Sequence, residues 1–292
     1  MKPAPFEYHS PHTIEEVVAL KSQYGDEAKF LAGGQSLVPA MNFRIVQPSR
    51  LIDLNRVAEL SYIREEGGVI RIGSMARERH LEFNEAIKNR TPLLHEAVPF
   101  IAHPQIRNRG TIGGSIVNAD PAAELPMLMI ALSARLKAKN KSGERWIEAK
   151  DFFAGMFTTA LEPDEALVEI ELPFAKQNTG WSFTEVAPRV GDYAMMGVAT
   201  LVTLDKDKKC TQAKLVYLNA GDGPVEAFEA EKMLAGNVLD DRLIESAALH
   251  ASEKEITPFG NIHASADFQR HLANSLTKKT LKQAVQRAEE TL

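Results

Sequence analysis

Cysteine is almost missing: Cys210 is the only one among 292 residues. One thiol excludes an intramolecular disulfide framework and any iron–sulfur cluster ligated by this chain's own cysteines. An excess of positive charge is missing too. The formal net charge is -5 and the isoelectric point about 6.0, so there is no electrostatic case for nucleic acid. The local clusters Lys206, Lys208, Lys209 and Lys278, Lys279, Lys282 read as solvated faces. No apolar run reaches the length of a membrane span, and residues 1–7 carry neither the apolar segment of a secretory signal nor the Arg-rich pattern of a transit peptide. A cytoplasmic protein without integral membrane contact is expected.

The common site signatures are also absent. There is no G-x-G-x-x-G turn and no G-x-x-x-x-G-K-[ST] loop, and Gly34-Gln35-Ser36-Leu37-Val38 lacks the second glycine of a nucleophile elbow. The histidines at 9, 12, 80, 95, 103, 250, 263 and 271 show no H-E-x-x-H spacing, which argues against a metal site. No internal repeat or low-complexity segment is present.

What the sequence does have is a pair of short glycine loops, Ala32-Gly33-Gly34-Gln35-Ser36 and Thr111-Ile112-Gly113-Gly114-Ser115, about eighty residues apart. Each is predicted to be entered from extended backbone. Glycine reaches positive φ without steric cost and lets main-chain N–H groups approach a ligand, so each loop is predicted to close into an anion-binding nest. Two facing nests would grip a pyrophosphate. A lone Gly-Gly pair is usually only a turn, but the second one has unusual neighbours. Between His103 and Glu124 the chain gathers Arg107, Arg109, Thr111, Ser115, Asn118, Asp120 and Glu124. Such a run supplies donors for phosphate oxygens and acceptors for ligand hydroxyls.

The length predicts two or three compact units. Thr13 followed by Glu16 reads as a capping box for a helix running to about Gly25. A strand over 28–31 then enters the first loop, followed by a short helix over 37–43 and a strand over 50–54, which together make a small α/β lobe. The alternation Val69-Ile70-Arg71-Ile72 predicts a strand over 67–74, with helices over 77–87 and 93–101. Next come a buried helix over 122–132, a hairpin pairing 135–139 with 145–148, and a strand over 167–172 stopped by Pro173. Residues 177–180 read as a connection. Beyond it, a hairpin of 197–205 with 210–218 and helices near 225–234, 240–251 and 266–290 predict a separate α+β domain.

Several blocks taken together resemble one family. Ala32-Gly33-Gly34-Gln35-Ser36-Leu37, Ile106-Arg107-Asn108-Arg109-Gly110-Thr111-Ile112-Gly113-Gly114-Ser115 and Asp120-Pro121-Ala122-Ala123-Glu124-Leu125-Pro126, with Arg189-Val190-Gly191-Asp192-Tyr193-Ala194, are similar to the FAD-binding medium subunit of the molybdenum hydroxylases. This is the aerobic carbon monoxide dehydrogenase and xanthine dehydrogenase group, and the resemblance spans nearly the whole chain. It implies an α+β fold, with a two-lobed FAD-binding domain of the PCMH or vanillyl-alcohol-oxidase type followed by a small α+β C-terminal domain. The expected extents are 1–55 and 56–176 for the lobes and 177–292 for the C-terminal domain. FAD is implied as this chain's cofactor. The molybdopterin cofactor and the [2Fe-2S] clusters are expected only in a large and a small partner subunit, assembled as a dimer of heterotrimers. The chain would then be an oxidoreductase subunit that passes electrons from partner clusters to an external acceptor. Its single cysteine suits that division of labour.

Carried over residue by residue, the resemblance assigns the FAD pyrophosphate to the backbone of Ala32, Gly33, Gly34, Gln35 and Ser36, reaching Leu37, and to that of Thr111, Gly113, Gly114 and Ser115. The Ser36 and Thr111 hydroxyls add donors. Asp120 and Glu124 stand where the family contacts ribityl and adenosine hydroxyls, although many relatives carry aspartate in place of Glu124. Gln35 stands where some relatives carry histidine. Tyr193 is assigned to the isoalloxazine, whose flat face suits an aromatic ring, with Leu161 near the opposite face and Lys29 near the cofactor. No residue is assigned a catalytic role. Neither loop contains His or Cys, which argues against covalent attachment of the flavin. Arg107 and Arg109 either offset phosphate charge or serve structure or an interface, and Asn118 reads as a turn amide. Two other readings stand beside this one: a stand-alone FAD oxidoreductase of the same fold, and a nucleotide-binding scaffold without redox chemistry.

Overall fold

A computed structural model describes residues 1–292. Strands β1 (Glu7–His9), β2 (Ala28–Leu31) and β3 (Arg50–Asp53) form a parallel sheet in the order β1-β3-β2. Helix α1 (Ile14–Tyr24) crosses over from β1 to β2, and the Thr13 hydroxyl caps it by accepting from the Glu16 amide at 3.2 Å. It buries Val17 in a small core with Ala28, Ile52 and Val57. Helix α2 (Leu37–Asn42) follows the first glycine loop.

The second lobe is built on an antiparallel sheet. Its strands are β4 (Ile63–Glu66), β5 (Val69–Gly73), β6 (Arg135–Asn140), β7 (Gly143–Glu148) and β10 (Ala166–Pro173), in the order β4-β5-β10-β6-β7, and β8 (Phe153–Gly155) pairs separately with β9 (Thr158–Thr159). The intervening helices are α3 (Glu78–Phe83), α4 (Glu85–Arg90), α5 (Pro92–Ala97), α6 (Pro104–Arg107), α7 (Ile112–Asn118), α8 (Glu124–Ala131) and α9 (Ala149–Phe152). Side chains alternate across a strand, so Ile70, Ile72, Leu136 and Ile170 enter the core while Arg71, Arg135, Lys137, Glu169 and Glu171 share the other face. Glu169 lies 3.3 Å from Arg71 and 3.1 Å from Lys137. A one-residue slip would exchange these faces, so the register is firmly specified.

Strands β11 (Thr179–Val186), β12 (Met196–Leu204), β13 (Cys210–Leu218) and β14 (Val225–Glu226) form the third sheet, antiparallel and in that order. Helices α10 (Phe228–Leu234), α11 (Asp241–His250) and α12 (Ala266–Glu289) complete the chain. This sheet is buried on both sides. Val198, Val202 and Tyr217 face the core under α12, whereas Ala199, Val216 and Leu218 join the core of the second lobe. Buried hydrogen bonds from Thr200 to Thr280 at 2.8 Å and between Tyr217 and Thr277 at 2.7 Å pin α12 to the sheet.

Three local expectations change. The single helix over 77–87 is split because Asn84 takes ψ 120° and caps α4, accepting from the Ile87 amide at 3.1 Å. Residues 225–226 pair as β14 before α10 begins. The connection at 177–180 runs into β11, an edge strand whose apolar alternation is diluted by Gly180, Ser182 and Thr184.

Candidate cofactor-binding site

The first glycine loop leaves β2 at the carboxyl edge of the parallel sheet, where such sheets bind ligands. Gly34 has φ +74°, the left-handed region that glycine enters freely. The carbonyls of this loop are tied back into the protein. Ala32 accepts from Asn55 Nδ2 at 2.9 Å, Gly33 from Gln35 Nε2 at 3.0 Å, Gly34 from the Val38 amide at 3.1 Å and Ser36 from the Ala40 amide at 3.2 Å. The N–H groups of Gly33, Gly34, Gln35 and Ser36 donate to nothing within the chain. A trans peptide points its C=O and N–H in opposite directions, so tying back the Ala32, Gly33 and Gly34 carbonyls turns the Gly33, Gly34 and Gln35 amides outward. Three outward amides in succession, followed by the uncommitted Ser36 amide, make an anion nest.

The second glycine run is a different device. Instead of a nest entered from a strand, residues 112–118 form helix α7, entered from the turn of α6. Buried Thr111 is its N-cap, its hydroxyl accepting from the Gly114 amide at 3.1 Å. The Ile112 amide donates to Ala76 at 3.0 Å, Gly113 to Ser74 at 2.9 Å and Ser115 to the Thr111 carbonyl at 3.1 Å. With these amides and the Thr111 cap committed, the run leaves the Ser115 hydroxyl without a partner in the chain and, on buried Thr111, only the O–H donor. Gly113 is there for packing: a Cβ would lie 2.5 Å from that of Ser74.

The two loops do meet. A Cβ on Gly33 would lie 2.4 Å from the Arg109 carbonyl oxygen, and one on Gly114 would come within 3.4 Å of the Ala32 Cβ. An open cleft of about 550 Å³ borders the contact, lined by residues 32–35 together with Asn42, Asp53, Asn55, Arg77 and Arg109. Burial, and next the neighbouring Arg109 cation, hold the Arg77 guanidinium below its ordinary value. Two cations on one wall favour an anionic ligand. Asn55 and Arg77 belong to no sequence block. Their signal is positional, since they follow the ends of β3 and β5 beside the loops. Arg107 is structural: buried, it binds Glu82 at 3.1 Å and the Ile101 and Ala102 carbonyls at 2.8 and 3.0 Å. Lys29 lies exposed on β2, Leu37 opens α2, Leu161 is half-buried against the second-lobe core and Asn118 ends α7.

An acidic pole adjoins this region. Asp120 shapes a turn by accepting from the Ala122 amide at 3.0 Å, and buried Glu124 opens α8. In the loop after β11 Gly191 has φ +87°, and a Cβ there would come within 2.5 Å of the His103 ring, which seats that loop against the chain entering α6. Tyr193 on that loop is 67% exposed. Burial of its protein-facing side and then the Asp120 and Glu124 carboxylates push its phenol up. Burial, against its own helix-terminal amide and with Asp120 adding, pushes Glu124 up to about 7. Two acids that the sequence did not single out share the pole. Burial and then Glu124 push Glu78 up to about 8 and Glu185 on β11 up to about 8, and each has a buried oxygen without a partner.

These raised acids destabilise the fold when they ionise. The native state keeps the proton longer than the unfolded chain, so stability is full below the ordinary carboxylate range and falls as pH rises through about 8. Glu185→Gln is therefore expected to raise the melting temperature at pH 9 and leave it nearly unchanged at pH 5. Equal shifts at both pH values would exclude a buried ionisation at this position.

Fold and site together define a chain with an open, cation-walled cleft beside two touching glycine loops, set between two lobes of mixed helix and sheet, with an α+β domain packed behind them. Residues 4–175 match the family described as the FAD binding domain in molybdopterin dehydrogenase, and residues 181–284 match the CO dehydrogenase flavoprotein C-terminal domain. The chain belongs to the FAD-binding medium subunits of the molybdenum hydroxylases. It is 40% identical over 100% of its length, and 98% of the relative's, to the 6-hydroxypseudooxynicotine dehydrogenase complex subunit alpha of Paenarthrobacter nicotinovorans. It is 37% identical to the carbon monoxide dehydrogenase medium chain of Hydrogenophaga pseudoflava, covering 97% of this chain and 98% of that one. A solved carbon monoxide dehydrogenase from Hydrogenophaga pseudoflava superposes with a TM-score of 0.95 at 38% identity, covering 98% of this chain and 99% of that one. Quinoline 2-oxidoreductase from Pseudomonas putida 86 gives 0.93 at 34%, covering 99% of each chain. The chain is thus an oxidoreductase subunit whose cofactor is FAD.

Proposed function

We propose that this chain is the electron-transfer subunit of a heterotrimeric molybdenum hydroxylase. It receives electrons from the [2Fe-2S] clusters of a small partner, fed in turn by a molybdopterin large subunit, and delivers them to an external acceptor. Two heterotrimers pair, and the complex works in the cytoplasm; no helix of this chain is long and apolar enough to cross a membrane. The observation that carries the reading is the row of uncommitted amides at Gly33, Gly34, Gln35 and Ser36 beside Arg77 and Arg109. Preorganised N–H donors and two cations fit a diphosphate without further rearrangement.

In this reading 1–55 and 56–176 are the two lobes and 177–292 the C-terminal domain. The first loop, from Ala32 to the start of α2 at Leu37, holds the FAD diphosphate, and the Ser36, Thr111 and Ser115 hydroxyls assist. Gly113 and Gly114 allow the second loop to pack close behind. Asp120 and Glu124 accept from ribityl and adenosine hydroxyls; near pH 7 Glu124 also offers a proton to donate. The exposed Tyr193 ring covers one face of the isoalloxazine, with Leu161 towards the other and Lys29 at the margin. Bound FAD supplies a ring that exchanges one or two electrons, matching single-electron clusters to two-electron acceptors. The substrate is selected by the large partner, which this chain does not contain.

Reconstituting the purified chain with FAD tests the reading. One non-covalent flavin per chain is expected, released on denaturation, with no substrate turnover until partner subunits are added. Turnover by the single chain would favour a stand-alone oxidoreductase. Binding of ADP with which FAD fails to compete would favour a scaffold without redox chemistry.

A further inference from the structure

Two side chains outside every glycine block bridge the two loops. Asn55 follows the end of β3 and Arg77 precedes α3. Asn55 Nδ2 donates to the Ala32 carbonyl at 2.9 Å, Asn55 Oδ1 accepts from Arg77 Nη2 at 2.6 Å, and Arg77 Nη1 donates to the Arg109 carbonyl. A path of three hydrogen bonds thus runs from the peptide before Gly33 to the peptide before Gly110. It starts on one lobe and ends on the other.

The path is anchored from behind. Asp53 is 8% exposed. Its Oδ2 accepts from the Tyr8 hydroxyl at 2.5 Å, and its Oδ1 accepts from the Asn55 amide N–H at 2.9 Å and from Asn55 Nδ2 at 2.5 Å. Burial alone would raise this carboxyl, but the hydrogen bonds from Tyr8 and Asn55 outweigh it and hold the group below the usual carboxylate range. An ionised Asp53 locks the Asn55 amide in one orientation. A flip would set Oδ1 against two acceptors and Nδ2 against a guanidinium.

We propose that Asn55 and Arg77 are positioning residues for the diphosphate nest, holding the Ala32 and Arg109 carbonyls at a fixed separation and thereby aiming the Gly33 amide at the cofactor's phosphates. The inference rests on residues 32–36 being the diphosphate seat. Its lever is the peptide plane: releasing the Ala32 carbonyl lets that plane turn and carries the Gly33 N–H away from the ligand. Direct contact of Gly33 with the Arg109 and Gly110 backbone transmits any change in loop separation to the nest. Arginine suits the position because its planar fork donates from two nitrogens to acceptors on separate elements. Lysine keeps the charge but offers a single nitrogen.

The test titrates the apo chain with FAD and, separately, with ADP, in wild type, Asn55→Ala, Arg77→Lys and the double variant. Each single change is expected to weaken FAD and ADP by the same factor, about tenfold, the loss of one charge-assisted or buried-edge hydrogen bond. The double variant should lose no more than the weaker-binding single, since both changes cut one path. Arg77→Lys keeps the charge, so the salt dependence of ADP binding should stay that of wild type, and the apo melting temperature should hold. Wild-type affinity in both singles, additive losses, or in Arg77→Lys a loss matched by a fall in apo melting temperature would each overturn the proposal. Wild type binding neither FAD nor ADP would instead bring down the reading of the seat, and this inference with it.

Discussion

Gly33→Ala is expected to strip the protein of FAD, weakening retention by about a hundredfold or more, close to 3 kcal/mol. The added methyl would sit 2.4 Å from the Arg109 carbonyl oxygen and 2.8 Å from the Gly110 Cα. Both obstacles are backbone, so no side-chain rotation relieves them and the two lobes must part at this point. Parting them pulls on the Ala32 carbonyl and turns the outward amides. The other glycines of the site should respond less steeply. At Gly34 a Cβ meets only the flexible ends of Val38 and Leu31, at 3.2 and 3.3 Å, so the penalty for valine there comes mainly from φ +74°. At Gly114, in a helical conformation, valine would displace the Thr111 capping hydroxyl, 2.7 Å away. Flavin absorbance after gel filtration, followed by titration calorimetry, ranks the three. Wild-type retention in Gly33→Ala would show that contact between the loops does not matter to the seat.

Gly180→Val is expected to be the most damaging change to the fold, destabilising the C-terminal domain by about 3 kcal/mol or more. Gly180 lies on β11 where α12 crosses, and a Cβ would stand 1.8 Å from the Ala284 carbonyl oxygen and 2.5 Å from the Ala288 amide nitrogen. Helix and sheet would have to separate, breaking the Ser182–Gln283 contact from β11 and the Thr200–Thr280 contact from β12 that register α12 on the sheet. Hydrogen exchange should show lost protection in α12 and β11. The first loop lies on the other lobe and should still bind ADP. A melting temperature equal to that of wild type would mean that α12 yields without cost.

Gly34 and Gly180 divide what is legible in a chain from what is not. Gly34 was readable because positive φ after a strand is a local demand, and the capping pair Thr13 and Glu16 is equally local. The hairpin around Lys206-Asp207-Lys208-Lys209 declares itself by a charged turn between two arms rich in apolar and β-branched residues, and the strands run 196–204 and 210–218. Gly180 looked like part of a connection because its reason for being glycine lies about a hundred residues further on, at Ala284. The same holds for the second glycine run. Its letters match the first, yet Thr111 starts a helix and its amides are taken by Ala76 and Ser74, so the expected second nest does not form.

By itself the sequence determined the family, through blocks whose residue types suit phosphate and hydroxyl recognition, and it excluded any iron–sulfur centre of the chain's own by carrying one cysteine, buried at Cys210. In Val69-Ile70-Arg71-Ile72 it also determined which face of the strand goes inside, since that follows from a period of two. Only the tertiary structure decided which amides are free to bind, which arginine faces the cleft and which is spent on Glu82, and that Asn55 with Arg77 ties the loops together. The reason is that a hydrogen-bonding group is available only if nothing else satisfies it. Its partners are set by distance in space, to which neighbours in sequence give no guide.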